Sequence, residues 1–110
     1  MVDKRAVIDS LRELADESIQ RRRWLAPGGP EVSSFAEAFC QLFDDTGLGD
    51  AIQKKKPIFE PETDEGLLHL EGLLRSIDQD LPPSTIIESR QMQRVRYAAI
   101  AVLQKIDPEN

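Results

Sequence analysis

The chain has 110 residues, a net charge of −6 and one cysteine, Cys40, which excludes an internal disulfide and a thiolate-rich metal site. One histidine, His69, argues against a multi-histidine centre, and no apolar run approaches the roughly 18 residues of a membrane span. The charged stretch Met1–Arg12 stands where a secretory signal would need an apolar core, so a cytoplasmic protein without membrane attachment is expected. A single domain over 1–110 fits this length.

The first segment, from about Asp3 to Leu25, sets Val7, Leu11, Leu14 and Ser18 on one helical stripe beside Ile8, Ala15 and Ile19. Asp3 is suited to cap it. Glu17 precedes Arg21 by four, the favoured order for an ion pair. Pro27-Gly28-Gly29 supplies the stop.

Ser34 and Glu37 form a capping box for the second helix, whose face is Phe35, Phe39, Leu42 and Thr46. Gly47 is expected to take the left-handed position that ends it. Cys40, beside Phe39 and Phe43, reads as a small buried residue. Asp50 is expected to cap one short turn, 51–55, before Lys56-Pro57.

An extended connection over Ile58–Glu62 leads to a third helix capped by Thr63 or Asp64 and running to about Asp80. Its Leu67, Leu70, Leu74, Ile77 and Leu81 alternate by three and four, a leucine seam. Gly72 within it costs about 1 kcal/mol relative to alanine, which suggests a close neighbour there. His69 lies opposite much of the seam and reads as solvated. Pro82-Pro83 ends this helix, and Thr85 with Glu88 offers a second capping box. The last helix buries Val95, Ala98, Ala99, Val102 and Ile106. The expected fold is all-α: a compact antiparallel bundle of four principal helices, near 4–25, 34–46, 64–80 and 86–106, plus the short one.

Local chemistry is sparse. A calcium loop beginning at Asp44 would need oxygen ligands where Leu48 and Lys55 stand. Gly47 and Gly49 follow a helix, whereas a phosphate loop follows a strand. Arg21, Arg22 and Arg23 point to three helix faces, which argues against a nucleic-acid stripe, and Trp24 reads as a core-rim aromatic. No catalytic, cofactor or metal site is assigned, and the chain is not expected to be an enzyme.

Charge is the remaining signal. Residues 27–53 hold five acids and no base, residues 57–81 hold seven acids against Arg75, and Lys54, Lys55 and Lys56 stand between. Such acidity repels phosphate backbones and steers basic partners. The expected protein-binding residues are Asp44, Asp45, Asp50, Glu60, Glu62, Asp64 and Glu65. Asp44 and Asp45 stand out because a carboxylate at a helix C-terminus opposes the dipole.

With Ser34-Phe35-Ala36-Glu37-Ala38-Phe39, the loop Asp44–Asp50 and the acidic stretch Glu60–Glu65, the chain resembles the small all-α immunity proteins of bacterial polymorphic toxin and contact-dependent inhibition systems. That resemblance implies a cytosolic binding protein, monomer or weak homodimer, that neutralises a cognate toxin domain, commonly a basic nuclease. The alternative is a structural or regulatory helical interaction module, self-associating through the Leu67–Leu81 seam.

Overall fold

In a computed structural model, which describes residues 2–25 and 34–106, the longest helix, α7 (Arg90–Ile106), packs against both α1 (Lys4–Ala15) and α5 (Pro61–Arg75). The other elements are α2 (Glu17–Leu25), α3 (Phe35–Cys40), α4 (Leu48–Gln53) and α6 (Pro83–Glu88). A π-helical turn, Gln41–Asp45, continues α3. All secondary structure among the described residues is helical. The core runs through Val7, Leu11, Leu14, Phe35, Leu42, Leu67, Leu70, Leu74, Ile87, Met92, Val95, Ala99 and Val102, all buried. The stop expected at Pro27-Gly28-Gly29 lies outside the described residues.

Two of the four expected long helices are each broken in two. Asp16 is extended, at φ −122° and ψ 109°, and its Oδ1 accepts from Ser18 N at 2.9 Å, Ser18 Oγ at 2.7 Å and Ile19 N at 3.3 Å. A short side chain that satisfies the next helix's free N–H groups offers the backbone an alternative to staying helical. The chain turns there, so Ser18 is exposed and Gln20 and Trp24 take the buried positions of α2. The hydrogen bond from Ser18 foremost holds the Asp16 carboxyl below its ordinary value, with the backbone N–H groups and Arg22 adding to it. A depressed folded-state value means the cap's contribution is present at neutral pH and lost as pH falls through that value. Urea titrations down the acid range should show an Asp16→Ala chain losing less stability on acidification than the parent.

The second break is at Ser89, extended at ψ 154°, whose Oγ accepts from Met92 N at 3.0 Å and donates to Ile86 O at 2.7 Å. Ser89 therefore caps α7, in place of the expected box of Thr85 and Glu88. Pro82 caps α6, and Ile86 and Ile87 are buried in it.

Elsewhere the punctuation acts as expected. Asp3 caps α1 by accepting from Ala6 N, and Ser34 caps α3 by accepting from Glu37 N at 3.1 Å. Glu17 and Arg21 pair at 2.8 Å. Gly47, at φ 81°, takes the left-handed position. The short helix begins there, with Gly47 as its cap, and Asp50 sits inside its first turn instead of capping it.

Lys55 ends α4 with φ 54°. Lys55 N donates to Ile52 O at 3.1 Å and Lys56 N to Ala51 O at 3.0 Å, the paired bonds of a Schellman ending in which glycine is the favoured residue. A side chain in that conformation carries a steric cost. Lys55→Gly should therefore stabilise the fold by roughly 1 kcal/mol, read as a higher urea midpoint at unchanged slope.

Helix α5 starts one turn earlier than expected, with Pro61 in its first turn and Glu60 as cap, and its helical residues end at Arg75. It runs antiparallel to α7: Lys105 Nζ lies 3.5 Å from Glu62 O, and Gly66 meets Val102 one turn on. A methyl group on Gly66 would come within 3.0 Å of Val102 Cγ2. Gly72, where a neighbour was expected, faces open space; the close approach is at Gly66 instead.

Candidate protein-binding face

The connection between α4 and α5, residues 54–60, crosses the start of α5 and shapes a set of cavities. Asp64 holds it in place: its carboxylate accepts from Ile58 N at 3.0 Å and Phe59 N at 2.9 Å. Ile58 is thereby buried, and Pro57 and Pro61 stay in the wall of a groove of about 390 Å³. Ile52 and Leu68 complete its apolar lining, and Lys55, Lys56, Asp64 and Glu65 stand around it. Leu68 is 54% exposed, a large apolar side chain left open to solvent inside a concave surface.

Two further cavities adjoin the same connection. One of about 600 Å³ is lined by Asp3, Lys4, Asp50, Lys56 and Ile58 among others. The other, of about 400 Å³, lies between Glu60, Pro61, Glu62, Thr63 and Lys105.

The expected binding residues thus divide. Asp50, Glu60, Glu62 and Glu65 are exposed around the connection, and Asp50 also pairs with Lys54 at 3.3 Å. Asp64 is half-buried and committed to the backbone, a structural role that leaves little of its charge for a partner. Asp44 and Asp45 are exposed on the π-helical turn and line none of these three cavities. Each cavity also holds a lysine, so the surface is a mixed pattern of charge rather than a uniform acidic plug.

Cys40, expected in the core, is exposed. Desolvation first, and then the Asp44 carboxylate, hold its thiol above the ordinary value, which disfavours the nucleophilic thiolate. His69 is exposed, as expected. Among the described residues no group of histidine, cysteine and carboxylate side chains is placed to hold a metal ion. Nor is any helix among them long and apolar enough to cross a membrane.

A buried polar network had no counterpart in the sequence reading. Glu13 is 4% exposed; its Oε1 accepts from Arg23 Nη1 at 2.8 Å and its Oε2 from Trp24 Nε1 at 2.9 Å. Gln20, fully buried, donates to Glu13 O at 3.1 Å and Leu14 O at 2.9 Å, and accepts from Arg96 Nη1 at 2.9 Å. Arg96 also donates to Ile87 O at 3.2 Å. Four helices meet through these side chains, so the network positions elements rather than presenting chemistry to solvent. Trp24 packs edge-on to Phe35, ring centres 6.0 Å apart, which makes it core rather than a stacking platform.

Comparison of the chain with known protein families, curated proteins and solved structures finds no match.

Proposed function

We propose that the protein is an immunity protein, a cytoplasmic binding module without catalytic activity of its own, that docks a basic toxin domain over the groove between α4 and α5. The observation that carries this reading is the groove itself, an apolar concavity with Leu68 open to solvent and carboxylates around it. Interfaces combine an apolar centre with a polar rim, and the centre supplies most of the affinity. Glu60, Glu62, Glu65 and Asp50 supply the rim here, and Asp44 and Asp45 extend the negative field from the neighbouring turn. Lys55 and Lys56 add selectivity, since a partner must bring acid to them as well as base to the carboxylates.

The reading requires a toxin domain encoded near this gene, and the test is binding kinetics against that domain at two salt concentrations. Neutralising Asp44, Asp45 and Asp50 together should slow association at low salt, because steering acts on encounter. Leu68→Ala should hasten dissociation about tenfold or more, as loss of a central apolar anchor does. Unchanged rates in both variants, with folding intact, would move the interface elsewhere.

In the alternative reading, self-association uses the leucine seam, most of which packs into the chain's own core. Leu67, Leu70, Leu74 and Ile77 are buried within the chain, and only Leu81 of the five is exposed.

A further inference from the structure

We propose that the outward face of α7 is a self-association surface, on which a second copy of the chain docks its own α7 antiparallel across a two-fold axis near Tyr97. This surface is centred on α7 rather than on the groove, and the two adjoin at Glu62, beside Lys105. Tyr97 is 66% exposed and Ile100 39%, and at helical spacing they share a face with Arg90, Gln93, Arg94, Ala101 and Gln104. Most other aromatic rings of the described residues are buried or packed against the core. Tyrosine and arginine are the residue types that interfaces favour at their centres.

Charge selects the occupant and its direction. Helix α7 carries four bases and no acid, in a chain whose net charge is −6. Arg90 and Arg94 lie in its N-terminal turns, where the dipole disfavours cations, and neither has an ionic or hydrogen-bonding partner among the described residues. The opposite end of α7 lies beside the acidic start of α5, where Lys105 meets Glu62. An antiparallel two-fold contact therefore brings the arginine end of each copy to the acidic end of the other, twice by symmetry. It also faces Arg90 with Gln104 of the second copy. With the axis at Tyr97, the two Arg90 residues sit roughly 21 Å apart along the helix, at 1.5 Å per residue. A parallel pairing would bring them together instead. One helix pair is a small interface, so the dimer should be weak and concentration-dependent.

Sedimentation equilibrium from about 10 μM to about 1 mM should show the 12.4 kDa chain passing toward twice that mass, a range typical of contacts below standard interface size. Tyr97→Glu, and separately the pair Arg90→Glu with Arg94→Glu, should each weaken dimerisation at least about tenfold. In a Cys40→Ser background, Tyr97→Cys should give a disulfide-linked dimer on mild oxidation, whereas a cysteine at the exposed Leu81 should not. These positions are exposed, so folding should survive and circular dichroism checks it. A chain that stays monomeric at about 1 mM, or dimerises equally well with Tyr97→Glu, overturns the proposal.

Discussion

Leu70→Ala and Leu74→Ala should each lower the unfolding free energy by about 2–5 kcal/mol. Both side chains are fully buried on α5, on the face toward the core. Truncation removes the apolar transfer energy of the lost atoms and leaves a cavity that neighbouring helices only partly close. A chain of this size has roughly 5–15 kcal/mol in total, so the double variant should be close to unfolded. Leu81→Ala is the internal comparison. It belongs to the same sequence pattern, but it is exposed and should change stability by less than about 1 kcal/mol. Urea denaturation with an unchanged slope distinguishes loss of stability from a changed denatured state. Similar small losses at all three positions would mean that α5 is not packed through this face.

Glu13→Ala should cost about 3 kcal/mol, the second large effect. The carboxylate is nearly inaccessible to water and holds Trp24 Nε1 with one oxygen and Arg23 with the other. Removing it leaves a buried indole donor without its acceptor and frees a partly buried guanidinium, so the penalty exceeds the net worth of either bond. Glu13→Gln keeps an acceptor for one donor and should cost less. Trp24→Phe removes the indole donor but leaves Arg23 on the carboxylate. Combined with Glu13→Ala, it should therefore cost less than the two single changes added together. Tryptophan fluorescence follows the environment of Trp24 in every variant that retains it. Additive costs would separate the two residues energetically despite their 2.9 Å contact.

Most of the helical content was legible because it is written in local pattern. The seam from Leu67 to Ile77, the stripe of Val7, Leu11 and Leu14, and the cap at Ser34 depend on residues three or four apart, which a helix brings together by itself. The breaks at Asp16 and Ser89 escaped that reading because one polar residue barely disturbs an apolar period. Their effect comes from hydrogen bonds that cap the following helix. Cys40 differs for another reason. Its proximity in sequence to Phe39 and Phe43 suggests burial, yet relative to Phe35, Ala38 and Leu42 it lies on the far side of the turn. The candidate face was legible as a list of acids but not as a surface. Nothing local marks Asp64 as the residue that fastens residues 58 and 59, or Leu68 as the exposed member of its helix.

By itself, the sequence determined that the described chain is helical, where most helices lie, that Leu67, Leu70 and Leu74 face inward and that its middle is acidic. Those properties follow from periodicity, capping and charge, all of which act within a turn or two of chain. The tertiary structure alone decided that Gln20 and Arg96, 76 residues apart, share a hydrogen bond, and that Gly66 rather than Gly72 meets a neighbour. It also decided that the acids around the connection stand among lysines. Each of these depends on which helix crosses which. That choice is made by the burial of whole faces, and no short stretch of residues encodes it.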